Sequence, residues 1–222
     1  MPTKPRLRFH TLTPDRWDDL EKLFGKRGAC GGCWCMWWKL KRSEWSRQKG
    51  EGNRKAFKKI VVSGATPGLL AYAGREPVGW CAIEPRAAYP ALERSRTLKR
   101  VDDAPVWSVT CFFVAKPFRR HGVTAGLLRA AVAHARRHGG RIVEGYPVEP
   151  RKGEAADVFL YTGLASTFLK AGFREVLRRS PSRPIMRRVI GGRARGNPPL
   201  PSQGGTEGGV YDPRVKPSAG ER

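Results

Sequence analysis

Along this chain, short apolar runs suited to strands alternate with longer runs at helical spacing. Leu7 to Leu12 reads as a strand. Trp17, Leu20, Leu23 and Phe24 then recur at helical spacing between Asp15 and Phe24, with Thr13 placed as an N-cap. A glycine-rich loop, 25–32, runs into 30-CGGCWCMWW-38, and a second helical segment lies around Asn53 to Val62. The stretch 69-LLAYAGREPVGWCAIEPR-86 has two apolar runs about a Gly-Arg-Glu-Pro turn, the pattern of a hairpin. A polar connection from Ala87 to Asp103 leads to 106-VWSVTCFFV-114, a strand too apolar for an exposed edge. The loop 115-AKPFRRHG-122 joins it to a helix from about Val123 to His138, where Leu127, Leu128, Ala131, Val132 and Ala135 form one face. Next come a strand, 141-RIVEGYPV-148, a helix over 158–171, and two closing strands, 173-FREVLRR-179 and 184-PIMRRVI-190. This order predicts an α/β fold with a mixed sheet flanked by helices.

Residues 191–222 break the pattern. They are rich in Gly, Pro and Ser with no period, so they read as a disordered tail behind a folded unit of residues 1–190. No apolar run approaches the ~20 residues of a membrane helix, and the basic N-terminus lacks the apolar core of a signal peptide. The expectation is a cytoplasmic protein without membrane contact. The formal net charge is +24, and the tail, with five basic and three acidic residues, holds little of it. A charge of that size attracts polyanions or an anionic cofactor without choosing between them.

The chemistry concentrates in 112-FFVAKPFRRHGVTAGLLRAAVAHA-135. A buried strand ends in a loop dense in positive charge, turns at Gly122 and opens a helix. The first turn of a helix leaves backbone N–H groups unpaired and carries partial positive charge. With Arg119, Arg120 and His121 beside it, this suits a pyrophosphate cradle; taken alone, 119-RRHG-122 reads equally as a solvated basic turn before an ordinary helix. Gly122 lets the backbone approach a bulky anion, and the Thr124 hydroxyl adds a donor.

The loop resembles motif A of the GCN5-related N-acetyltransferase (GNAT) family, Arg/Gln-x-x-Gly-x-Gly/Ala. Arg119, Gly122 and the strand Phe112 to Val114 match; Thr124 stands at the final Gly/Ala position, with Ala125 following. The later 164-LASTFLKAGFREV-176 resembles that family's helix ending in Gly-Phe before a strand. The resemblance covers most of residues 7–190. It implies a mixed, mostly antiparallel central sheet, and acetyl transfer from acetyl-CoA to an amine with no metal. The cofactor strand would splay from its neighbour, so that the backbone of Phe113 and Val114 bonds the pantetheine. Arg119, Arg120, His121, Gly122, Val123, Thr124 and Ala125 would hold the pyrophosphate. The protein's task would be orientation and stabilisation of the developing oxyanion.

The amine must lose a proton and the departing thiolate needs one. The family's usual tyrosine acid falls at Phe168, which has no hydroxyl, so Tyr161 and Tyr146 are substitutes. For the base, Glu84 at the end of 79-GWCAIE-84 comes first and Glu144 second; the alternative for each is an ion-paired carboxylate in a very basic protein. Cys111, in the core strand, reads as a small buried hydrophobe rather than a nucleophile.

Cys30, Cys33 and Cys35 give C-x-x-C-x-C without a second pair, while a structural zinc site wants four ligands. A metal site is the minority reading and a redox motif a smaller one. Trp34, Trp37 and Trp38 instead suggest an acceptor wall able to hold an amine by cation–π attraction, or a partly core-filling cluster. The leading expectation is therefore an N-acetyltransferase, monomer or homodimer, acting on an amine of a small molecule or protein. The alternative is a basic nucleic-acid-associated module, or an acetyltransferase acting on an RNA-linked amine.

Overall fold

The computed structural model describes residues 6–150 and 160–191. The predicted tail, apart from Gly191, lies outside them, as does the start of the helix expected over 158–171. Among the described residues seven strands form one sheet in the order β1-β2-β3-β4-β5-β7-β6. They are β1 (Leu7–Thr11), β2 (Gly68–Ala73), β3 (Glu76–Pro85), β4 (Trp107–Val114), β5 (Ile142–Gly145), β6 (Arg174–Arg178) and β7 (Pro184–Val189). Only β4 and β5 run parallel; the other neighbours are antiparallel.

The longer helices are α1 (Trp17–Phe24), α3 (Glu51–Val62) and α5 (Val123–Arg137). Three short ones join them: α2 (Arg42–Arg47), α4 (Pro90–Glu93) and α6 (Ala165–Lys170). The sequence pattern passed over α2 and α4, which bury too few apolar positions to set up a period. Among the described residues no helix is long and apolar enough to cross a membrane.

Alternation along the strands divides the core. Leu69, Cys81, Ile83 and Val109 pack beneath α5, against Val123, Leu127, Leu128 and Ala131. Leu70, Tyr72, Trp80 and Ala82 face the other way, onto Trp17, Leu20, Phe24, Phe57 and Val61 of α1 and α3. Helices on both faces explain why β3 and β4 are nearly all apolar. Each fully buried leucine here contributes about 1.5–3 kcal/mol. Close approach tightens the α5 layer: a Cβ on Gly79 would sit 2.8 Å from Val123, and one on Gly126 would sit 2.6 Å from Phe9.

Two features of β4 set up the site. Cys111 pairs with Ala82 but Val109 with Ile83, so Thr110 is an extra residue and bulges the strand. On its other side β4 pairs with β5 only over Trp107, Ser108 and Val109. Beyond Val109 the two parallel strands part.

Candidate active site

The gap between β4 and β5 is edged by backbone. Ala115 N–H bonds to the Val78 carbonyl of β3, so Phe113, two residues earlier, also turns its backbone to β3, where it pairs with Trp80. Phe112 and Val114 turn theirs to the gap. Phe112 N–H donates to the Tyr161 carbonyl at 2.6 Å, and the Val114 carbonyl accepts from Arg119 Nε at 3.2 Å. The expected pair of edge residues, Phe113 and Val114, is thereby corrected to Phe112 and Val114. The Phe113 ring instead meets Phe24 edge-on at 5.6 Å.

Past the strand, a single 3-10 turn (Lys116–Phe118) brings the chain to Arg119. Arg120 has φ +66 and Gly122 φ +79, the left-handed region. Gly122 adopts it freely, whereas Arg120 is strained by roughly 1–2 kcal/mol. This double reversal lays 119–122 across the start of α5. His121 Nδ1 lies 2.7 Å from the Arg119 carbonyl oxygen, which fixes the turn. Gly122, as N-cap, has no side chain to satisfy the helix, and among the described residues no side-chain cap bond is made at this end of α5. The amides of Val123, Thr124 and Ala125 are the orphan donors of that first turn. Val123 sends its side chain into the core and serves the site by backbone alone. The loop and the strand edge thus fit a phosphorylated, extended cofactor: donors and positive charge at the helix start, and a strand edge leading inward from it.

The acid and base candidates fall in different settings. Glu144 is buried on β5 with both oxygens engaged. Oε1 accepts from Arg86 (2.9 Å) and the Tyr146 hydroxyl (2.7 Å), and Oε2 accepts from Arg187 Nε (2.7 Å). Arg187 also forks onto Asp102 at 2.6 and 3.0 Å, and Ser108 joins Tyr146 at 2.8 Å. Burial disfavours charge on Arg86, but Tyr146, Glu93 and Glu144 outweigh it and raise its pKa. Burial, then the Glu144 charge, pushes the Tyr146 phenol well above its ordinary value. This network ties β5, β7 and the 86–102 connection together at the root of the gap. It removes Glu144 as an available base and Tyr146 as an available acid.

Glu84 is ion-paired to Lys39, whose ammonium also lies 4.8 Å from the centroid of the Tyr89 ring. It occupies the sheet face covered by the 34–39 segment, and among the described residues only its Oε2 is tied. Tyr161 lines the gap, half-buried, its phenol pushed up to about 12, by burial first. A phenol so shifted stays protonated at neutral pH but is a weaker acid than an ordinary phenol, so donation needs the charge of a departing thiolate close by. Phe168 is fully buried and packs on Phe112 and Phe173, a core residue throughout.

The cysteine-tryptophan stretch divides between wall and core. Trp34 is 5% exposed, stacked 6.1 Å from Trp17 and 5.5 Å from Phe24. Gly28 makes room for it, since a Cβ there would lie 2.1 Å from the indole nitrogen. Trp38 is buried with Tyr89, Leu92, Leu98, Tyr146 and Ile185. Both are corrected from acceptor contacts to core residues. Trp37 alone of the three stays half-exposed, edge-on to Trp45 at 4.9 Å.

The thiols are all free, and among the described residues no group of His, Cys, Asp or Glu is arranged to hold a metal ion. Burial, then Cys35, pushes the Cys33 thiol up to about 11; a hydrogen bond donated to Cys35, then burial, raises Cys111 well above its usual value. Thiols held protonated are poor nucleophiles. A separate cleft of about 400 Å³, between β1 and the second half of α5, involves none of these residues.

Sequence reasoning missed Lys39, Arg86, Arg187 and Asp102, the partners that decide the roles of Glu84 and Glu144. No local pattern marks them, because their partners lie 43–85 residues away. It also missed the Thr110 bulge.

With the geometry in place, comparison with known proteins is informative. Residues 34–154 match the family profile described as Acetyltransferase (GNAT) family. Among solved structures, an acetyltransferase of the GNAT family from Listeria monocytogenes superposes with a TM-score of 0.51 at 7% identity, over 83% of this chain and 95% of that one. The PaiA N-acetyltransferase of Thermoplasma acidophilum, in complex with coenzyme A, gives 0.47 at 15% identity, over 83% and 99%. A GNAT-family acetyltransferase from Streptococcus agalactiae gives 0.49 at 13%, over 84% and 96%. No curated protein sequence matches significantly.

Proposed function

The chain belongs to the acetyltransferase (GNAT) family, and on that premise we propose that it moves an acetyl group from acetyl-CoA to an amine by direct transfer, within a unit spanning residues 1–190. The observation carrying this reading is the parting of β4 from β5 beside a helix start that lacks a side-chain cap. The amides of Gly122 to Ala125, with the Arg119 side chain and the Arg120 backbone, would hold the pyrophosphate. The gap-facing backbone of Val114 would align the pantetheine, with the thioester set near Thr110 to Phe112.

From there the protein's own groups have three tasks. The strand edge orients the carbonyl beside the developing oxyanion, whose stabilisation in a site screened from water carries much of the rate enhancement. The free oxygen of Glu84 takes the acceptor's proton, directly or through water, while Lys39 holds the carboxylate in place. Tyr161 returns a proton to the thiolate. Trp37 borders the acceptor's entry. The acceptor is an amine on a small molecule or a protein.

A thiol-release assay with acetyl-CoA over a panel of amines, run beside a direct acetyl-CoA binding measurement, tests the reading; no acetyl-CoA binding would sink it. A second reading, an RNA-linked acceptor or RNA contact, has one observation in its favour. Residues 22–59 carry twelve Lys and Arg against two acidic residues, and most of those cations are exposed on and around α1, α2 and α3. RNA retention that falls steeply with salt supports it. Retention that ignores salt removes it.

A further inference from the structure

The arginines buried or half-buried around the gap differ in one respect. Arg86 is matched by Glu93 and Glu144, and Arg187 by Glu144 and Asp102. Arg183, on the turn between β6 and β7, is half-buried as well, yet no carboxylate among the described residues approaches it. Its one side-chain hydrogen bond among the described residues is to the Thr162 hydroxyl at 3.2 Å. A cation withdrawn from water without a counter-charge is costly. Burial accordingly lowers the Arg183 pKa, and the nearby Tyr161 only partly opposes this.

The location gives that cost a use. Thr162, the partner of Arg183, follows directly on Tyr161, whose carbonyl takes the Phe112 N–H at the gap. The Arg183 guanidinium therefore lies one residue from the segment that closes the gap. The turn itself is pinned, with Glu149 N–H bonded to the Ser182 carbonyl (2.9 Å) and Arg183 N–H to the Ser180 carbonyl (3.0 Å). A fixed guanidinium with open valences is built to grip a planar anion through paired N–H donors.

We propose that Arg183 recognises a carboxylate on the acceptor, so that the substrate is an amine that also carries a carboxylate group, such as an amino acid. This rests on the acetyltransferase reading of the same site. The carboxylate supplies the missing counter-charge and holds the molecule by its acid end, leaving the amine to reach the thioester in the gap. Gripped at one end by a pinned residue, the acceptor loses little further freedom on the way to attack.

The experiment compares acceptors that differ only in the acid group. Unbranched amino acids with terminal amines, two to six carbons long, are run against the alkylamines of the same length and against the matching amino alcohols, by thiol release. The expected wild-type preference for the carboxylate, in kcat/KM, is about 10- to 100-fold. In Arg183→Gln that ratio falls to within about threefold, and Arg183→Lys restores part of it. Because Arg183 has no buried carboxylate partner among the described residues, its replacement by Gln is expected to leave Tm unchanged or higher, which separates recognition from a structural role.

Equal turnover of amines and amino acids overturns the proposal while leaving the acetyltransferase reading intact. So does a clear preference for aminoalkyl phosphates over the carboxylates. If no panel member turns over, carboxylate binding to the coenzyme A-loaded protein is read by calorimetry: binding that Arg183→Gln abolishes supports the proposal, and no binding overturns it. Failure to bind acetyl-CoA at all removes both.

Discussion

Replacing Glu144 by glutamine isolates the charge at the root of the gap. The substitution keeps the shape and one acceptor oxygen but leaves Arg86 and Arg187 buried against a neutral amide. Their side chains are only 7% and 11% exposed, and that of Glu144 only 1%. Removing one partner of a buried ion pair costs about 3–5 kcal/mol, most of it the cost of the charges left behind. Against a total stability of about 5–15 kcal/mol that is a large share. With an m-value of about 1–3 kcal/mol/M, the urea midpoint should fall by roughly 1–5 M. Tryptophan fluorescence follows the transition, since six of the seven tryptophans are buried or half-buried in the two halves of the core around Trp80 and Tyr89 or against them. The exposed pair of Glu51 with Arg54 serves as the control: Glu51→Gln should cost less than about 1 kcal/mol. Thiol release by the Glu144→Gln protein, assayed well below its midpoint, should stay within a few fold of wild type. A fall of a hundredfold or more in turnover with an unmoved midpoint would refute the assignment and return Glu144 to the role of base.

Four further outcomes are expected. Glu84→Gln should reduce turnover by about 100-fold or more while acetyl-CoA affinity is nearly kept; an unchanged pH–rate profile removes Glu84 as the base. Tyr161→Phe retains the backbone carbonyl that bonds Phe112, so it should fold normally yet lose about 10- to 100-fold in kcat, and wild-type kcat would dismiss the phenol as acid. His134 is fully buried on α5 with no hydrogen-bond partner for either ring nitrogen among the described residues, and burial, then His138, lowers its pKa to about 4. The unfolded chain, near 6.5, binds the proton more readily, so stability should be full above pH 6.5 and decline by up to roughly 3 kcal/mol as pH falls toward 4; His134→Leu should flatten that part of a Tm-against-pH curve. Arg120→Gly relieves the left-handed strain at φ +66, so Tm should not fall, and the KM for acetyl-CoA should stay within about threefold; a tenfold rise would show that the side chain, not the backbone, binds the pyrophosphate.

Much of the fold was legible because its elements are strongly periodic. The α5 face of Leu127, Leu128, Ala131 and Ala135 and the two-sided apolar run of β4 each follow from burial acting at a fixed spacing. The loop proposed for the pyrophosphate was legible because its features are local: a helix start, a glycine and neighbouring charges sit within 119–125. The carboxylates were not. Glu84 and Glu144 look alike in sequence, each ending an apolar strand, and their difference comes from Lys39, Arg86 and Arg187, distant in the chain. The tryptophans misled for a related reason. A dense aromatic cluster is equally suited to a pocket and to a core, and the choice turned on whether α1 and the 86–98 connection covered Trp34 and Trp38.

The sequence by itself determined the order of the strands and longer helices and the charged helix start proposed as an anion cradle at the head of α5, because helical and strand periods and unpaired first-turn amides are properties of contiguous residues. It also determined the family. Only the tertiary structure decided which backbone edge faces the gap, through a one-residue bulge at Thr110 that flips the parity of β4. Only it showed Glu144 as a twice-paired structural charge and Arg183 as a half-buried cation with no carboxylate near it among the described residues. Electrostatic roles depend on what lies within a few ångströms, and for these residues those neighbours come from elsewhere in the chain.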